Sequence, residues 1–285
     1  MSEIGNYSGC HPPVRTTMVR PAVARRRRTG PRKLPSRPVL VLLQLTATAI
    51  LFLLWWLAIQ TGVLAEFFFG NPVLVLGQVV EWFATGEIFV HLAATLSETV
   101  LAFLAGAILG VAAGLWLGLS ALTAALLDPF IKAFNAMPRV ILGPIFVVWF
   151  GLGIWSKVAL GITLVFFVVF FNVFQGVREV SPVILANARM LGATQQQLLR
   201  TVYIPSATSW VFSSLHSSVG MAFVGAVVGE YLGSARGVGY LILQAESTFD
   251  VNAVFAGILV LTVFALLLDT AVTVLERALV AQRQH

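Results

Sequence analysis

Charge is what this sequence has least of. Asp, Glu, Lys and Arg together make up 11% of its 285 residues, against about a quarter in a soluble domain. A chain this poor in charge cannot clothe a water-exposed globule, and a mean hydropathy of +0.91 points to an integral membrane protein. The single cysteine, Cys10, excludes an internal disulfide and offers no structural metal site by itself. The histidines (His11, His91, His216 and His285) are scattered, without the clustering that a catalytic or metal centre needs. No Gly-x-x-x-x-Gly-Lys-Ser/Thr loop occurs, so no segment is built to cradle nucleotide phosphates. Short alternating strands are absent as well, which argues against a β-barrel.

What is abundant is apolar length, at 58% of residues. A span needs about 20 such residues, and six runs qualify, near 40–60, 92–118, 129–152, 155–178, 210–230 and 253–277. Each must satisfy its backbone hydrogen bonds within itself, so the expected fold is an all-α membrane bundle. Residues 1–38 form a separate basic tail. With Arg15, Arg20, Arg25–Arg28, Arg32, Lys33 and Arg37, it is too polar to bury a core and reads as disordered. A basic block just before a first span is explained by topology rather than by nucleic-acid binding. If the N-terminus is cytoplasmic, sixteen of the eighteen Lys and Arg fall on that side. Only Lys157 and Arg236 fall opposite. Both termini and the segment 186–205 are then cytoplasmic.

Between spans one and two, Val73, Leu76, Val79, Val80 and Phe83 recur at helical spacing after Pro72. They predict a short helix on the outer membrane surface, read as a packing lid. Gly106, Gly110, Gly114 and Gly118 place a small residue every fourth position in span two. That stripe predicts close helix packing, within the subunit by preference or at a dimer contact. Asn135, Pro138, Arg139, Gly143, Pro144, Gly151 and Gly153 break up span three, which is either a kinked helix or part of a solute path. Glu98, His216 and Asp269 are ionisable groups inside spans, each lining a path or bonding helix to helix. Asn135, Pro138, Arg139, Glu98 and His216 are the candidate path residues.

The segment from Ala186 to Pro205, ANARMLGATQQQLLRTVYIP, is a polar interruption between greasy runs. Hydrocarbon does not accept Asn187, Arg189, Gln195, Gln196, Gln197 and Arg200. Yet Ala188, Leu191, Leu198, Val202 and Ile204 are spaced to give a helix an apolar side. Gly192 predicts a tight turn with φ > 0. Pro205 predicts the end of a second helix and the start of the next element. Helix, glycine turn and helix make a stiff knob fit to dock another protein.

Here the chain resembles the permease subunits of ATP-binding-cassette importers. Their cytoplasmic signature runs Glu-Ala-Ala, three residues, Gly, nine residues, Ile, one residue, Leu-Pro. This chain has Ala186-Asn187-Ala188, Gly192 and Val202-Tyr203-Ile204-Pro205 at that spacing, with Ala186 in place of the Glu. The resemblance is to the nitrate/sulfonate/taurine type. It rests on Asn71-Pro72, the run PRVILGPIFVVWFGLG from Pro138 with Ser156-Lys157 after it, Glu230, and Gly237-Val238-Gly239-Tyr240-Leu241-Ile242. It implies a type I permease bundle over 39–285 with a coupling segment at about 180–209. Ala186, Asn187, Ala188, Arg189, Leu191, Gly192, Ala193, Val202, Ile204 and Pro205 would couple to the ATPase. A second permease copy, two ATPase subunits holding ATP and Mg, and an extracytoplasmic binding protein would be the partners. The chain itself would bind no cofactor and catalyse nothing. The solute would be a small anion such as nitrate, a sulfonate or taurine. A self-powered secondary transporter is the rival, but it predicts inverted halves with paired broken helices, and one broken span with no internal repeat fits that poorly.

Overall fold

The computed structural model describes residues 36–283, so nearly all of the basic tail lies outside the described residues. Every element among them is helical. The chain forms two units, one ending at Ala49 and one beginning at Ile50. The helix α1 (Arg37–Gln60) runs through that division. From Ile50 onward the order is α2 (Glu66–Phe69), α3 (Pro72–Thr85), α4 (Glu87–Leu119), α5 (Ala121–Ala136), a 3₁₀ turn (Arg139–Leu142), α6 (Gly143–Phe150) and α7 (Ile154–Arg178). Then come α8 (Pro182–Met190), α9 (Gln195–Leu198), a π turn (Leu199–Tyr203), α10 (Ile204–Leu232), α11 (Val238–Ser247) and α12 (Val251–Arg283).

Five of the expected spans are found as helices long and apolar enough to cross a bilayer, in α1, α4, α7, α10 and α12. The run near 129–152 is not one straight helix. It falls in the pair α5 and α6, bent by 86° at Met137–Pro138. Pro138 explains the break: it disfavours helical φ/ψ at Met137, whose ψ is 130°. The surface helix expected after Pro72 is α3, capped by Asn71, whose side chain accepts from the Val73 amide. The stretch Glu66–Thr85 also meets the length and composition of a span, although its polar residues suggest a surface element. Val75 and Trp82 of α3 are buried in one cluster with Val238 and Leu241 of α11 and Ala253, Ala256 and Val260 of α12.

The bundle centre is α7 clasped by α4 and α10. The glycine stripe of α4 lies on a valine stripe of α7: a Cβ on Gly106, Gly114 or Gly118 would sit within 2.8 Å of a Cβ of Val165, Val173 or Val177 respectively. The stripe therefore packs within the subunit. In hydrocarbon no hydrophobic force draws helices together, so this close approach is where van der Waals cohesion is gained.

Candidate functional site

The sequence puts its densest polar segment after α7, and there the structure builds an elbow. Helix α8 opens with Pro182 at its first turn and buries none of its residues. The chain reverses at Gly192, which has φ +84°, the left-handed value that the sequence predicts. Thr194 then caps α9 in a capping box: its hydroxyl accepts from the Gln197 amide while the Gln197 side chain accepts from the Thr194 amide. Leu198, 1% exposed, anchors this arm on the bundle.

Two expectations fail here. Pro205 does not end a second helix. The chain runs from α9 through the π turn into α10, with the Ile204 amide bonding the Leu199 carbonyl. A π turn widens the ladder locally, and Pro205 follows it in the first turn of α10, so the ladder is already displaced where proline has no N–H to donate. The anticipated apolar side is also split. Leu198 points inward, but Leu191 is 88% exposed and Met190 79% exposed, and Ile204 is exposed too. The polar segment thus presents large apolar side chains that its own chain does not cover.

At the opposite end of α10 lies a second polar assembly, of which the sequence pattern reveals only single members. Glu230, fully buried, accepts from the Thr95 hydroxyl at 2.6 Å and from the Gly239 amide at 2.8 Å. The Thr95 oxygen also accepts from the Val238 amide at 3.2 Å, and His91 Nδ1 accepts from the Gly237 amide at 3.1 Å. Gly237 holds φ +108°, a value that favours glycine. These bonds latch the α10–α11 loop onto α4. Lys157, which the charge count assigns to an external loop, is 0% exposed. Its ammonium donates to the carbonyls of Leu152 at 2.5 Å and Gly153 at 2.9 Å, and it interacts electrostatically with Glu98 and Glu230. The signal for this meeting is positional: a lysine in the first turn of one apolar helix and a glutamate in the last turn of another come together when the two helices run antiparallel. Glu230→Ala should leave the Gly239 amide unpaired in a buried site and the Thr95 hydroxyl with only the His91 carbonyl to donate to, at a cost of about 1–3 kcal/mol. A fall in the detergent melting temperature, mostly restored by Glu230→Gln, checks this.

The five candidate path residues do not converge. Glu98, 4% exposed, belongs to the latch end, and its Oε2 has no hydrogen-bond partner. Arg139, grouped by the charge count with the residues beside the elbow, lies elsewhere. Its guanidinium is 4.4 Å from the ring of Phe167, halfway along α7, because the 86° bend folds it back along the bundle. It donates to Asn135 Oδ1 at 2.5 Å, with Pro138 between them at the bend. His216 lies within α10, 3.4 Å from Asp269 and 3.4 Å from Glu276, both on α12.

The profile of the family described as binding-protein-dependent transport system inner membrane component matches residues 106–281. The chain is 34% identical over 235 residues to a putative aliphatic sulfonates transport permease protein of Bacillus subtilis, covering 82% of this chain and 85% of that one. It is 30% identical over 244 residues to the taurine transport system permease protein of Escherichia coli, covering 84% and 89%. It is 30% identical over 214 residues to the formylaminopyrimidine transport permease protein of Halalkalibacterium halodurans, covering 75% and 85%. Among solved structures, a chain of the MetNI methionine ABC transporter in an inward-facing conformation superposes with a TM-score of 0.58 at 18% identity, covering 68% of this chain and 97% of that one.

Proposed function

The chain belongs to the family of binding-protein-dependent transport system inner membrane components, and we propose that its elbow couples a partner's ATP hydrolysis to movement of α10. As a member it is a multi-pass inner-membrane permease subunit of an ATP-driven importer, not an enzyme. Membership implies an ATPase, a solute-binding protein and dimerisation as its partners. In the finer reading, two copies of this chain meet two ATPase subunits that carry ATP and Mg, both termini are cytoplasmic, and residues 39–285 form the permease domain. The solute is a small anion such as nitrate, a sulfonate or taurine.

One observation carries the coupling role: Met190 and Leu191 stand exposed at the end of α8, beside the Gly192 turn that leads into the arm continuous with α10. From Ile204 to Glu230 the helix extends about 40 Å at 1.5 Å per residue. A push on the elbow therefore passes through the Gly192 turn and the π turn into α10, which carries it to the latch as one rod. Nucleotide-driven closure of the ATPase pair displaces the elbow, α10 tilts against α7, and the loop held by Glu230 shifts at the far end. Asn135, Pro138 and Arg139, at the bend of the broken span, lie along the path between.

Reconstitution with its ATPase and binding protein should give solute uptake that needs ATP and stops when the ATPase is omitted. Cysteine labelling at position 195 should be blocked from the outside of intact cells. Uptake without the ATPase, or external labelling, would overturn the reading.

A further inference from the structure

Midway along α10, His216 stands between two carboxylates of α12. Its Nε2 is 3.4 Å from Asp269 Oδ1, and its Nδ1 is 3.4 Å from Glu276 Oε2. Asp269 and Glu276 are two helical turns apart in sequence, so they share one face of α12 with the ring between them. Both distances exceed the roughly 2.7–2.9 Å of a charge-assisted bond, and Nδ1 makes no hydrogen bond. A neutral imidazole has one N–H and one lone pair. It serves one of these carboxylates and turns its lone pair on the other. Only the imidazolium donates to both. Among the described residues no further charge competes for the ring. Helix α4 contributes Phe103 to the small cavity beside it and carries Glu87, His91 and Glu98 toward the latch end. The cations of α7, Lys157 and Arg178, sit at its two ends. Arg200 belongs to the π turn and Glu230 to the last turn of α10. Helix α6 has no charge, and Glu246 of α11 is bonded to Tyr231. Arg277 follows Glu276, but adjacent helical positions do not face each other.

We propose that His216, Asp269 and Glu276 form a proton-operated brake on α10. His216 is a positioning residue here and touches no solute. From Ile204 to His216 the rod runs about 18 Å at 1.5 Å per residue, so a tilt driven from the elbow must carry the ring past the two carboxylates. With the ring neutral, one weak contact opposes that motion. With the ring protonated, two charge-assisted bonds tie α10 to α12 at mid-rod. The His216 side chain is 39% exposed, so protons reach it. Histidine changes charge between about pH 5 and 8. The brake therefore engages as the surroundings turn acidic and releases as pH rises. Its purpose, slowing transport in acid, rests on the importer reading; the clasp itself rests only on the geometry.

The pH profile of the full complex tests it. The chain, assembled with its ATPase in lipid nanodiscs, is given MgATP at pH 6 and at pH 8, and His216→Gln serves as the baseline for the ATPase's own pH dependence. Relative to that baseline, wild-type hydrolysis should fall at least about threefold more between pH 8 and pH 6, a modest factor because exposed ion pairs are weak. The melting temperature should move the other way. The clasp binds the charged ring, so its stabilisation is present in acid and lost as pH rises, and the wild type should gain over His216→Gln at pH 6 but not at pH 8. Asp269→Asn combined with Glu276→Gln, which leaves the histidine in place, should reproduce the His216→Gln profile. In ¹⁵N-histidine spectra the signal missing from His216→Gln should show both ring nitrogens protonated at pH 6. Equal pH ratios in wild type and His216→Gln, or a double variant that keeps the wild-type ratio, would overturn the brake. A complex that hydrolyses no ATP at either pH would count against the importer reading, and the melting comparison would still decide the clasp.

Discussion

Leu191→Asp should abolish ATP-driven uptake while the protein still inserts, dimerises and melts at its normal temperature. Leu191 is 88% exposed and touches little of its own chain, so its loss costs the fold almost nothing. If it fills a pocket on the ATPase, a carboxylate there is desolvated without a partner. Truncation of a central apolar anchor at an interface typically costs about 2–4 kcal/mol, roughly a 30- to 1,000-fold loss of affinity. The measurement is co-purification of the ATPase with the permease, and solute-stimulated ATP hydrolysis in proteoliposomes. Gly192→Asn makes a useful companion. A Cβ there meets nothing within 4 Å, and asparagine tolerates φ > 0 better than most residues, so it should retain most of the coupling. Gly192→Asp keeps the shape, adds charge, and should resemble Leu191→Asp. Full coupling in Leu191→Asp would move the docking surface away from the elbow.

The elbow is legible in the sequence because its determinants are local. A glycine at a φ > 0 turn and a polar stretch between apolar runs both act within a few residues; the Thr194–Gln197 capping box is equally local but emerges only with the structure. The direction of Leu191 is not legible, because periodicity says which residues share a face and not whether a neighbour covers that face. The path of the chain through Pro205 escapes for a related reason: proline ends a helix only where nothing else accommodates it, and a π turn upstream does so here. Spans are legible wherever one long apolar run maps onto one helix. The break in span three shows as a break, from Pro138 and its glycines, but its 86° angle does not. That angle carries Arg139 from a presumed loop to the middle of α7. The latch is hardest to see, since Thr95, Lys157, Glu230 and Gly239 come from distant parts of the chain and meet only after the helices pack.

Packing itself supplies the other large effect. Gly110→Leu in α4 should leave no folded permease, where the same chain with Gly77→Ala should be at least as stable as the wild type. At Gly110 even a Cβ would lie 2.9 Å from the Phe166 carbonyl oxygen and 2.9 Å from Val169 Cβ, and 3.1 Å from the Phe170 amide nitrogen. Two of those three atoms are backbone, so no rotamer change relieves the clash; α4 and α7 must separate. Separation is felt along the whole seam, since Gly106, Gly114 and Gly118 make the same approach in register. Overpacking a tight interior costs about 1–3 kcal/mol for modest additions, and an isobutyl group against backbone exceeds that. Gly110→Ala should therefore destabilise even though alanine is the better helix former by about 1 kcal/mol. Gly118→Ala should destabilise as well, since its Cβ would lie 2.8 Å from the Cβ of Val177, an atom no rotamer change can move. Gly77 lies on α3, where an added Cβ would meet nothing within 4 Å, so there the helix-propensity gain stands unopposed. Thermal unfolding in detergent, followed by size-exclusion recovery, ranks the four variants. An order in which Gly110→Ala matches Gly77→Ala would mean that α4 and α7 can part without loss, and α7 would then no longer serve as the fixed post against which α10 tilts.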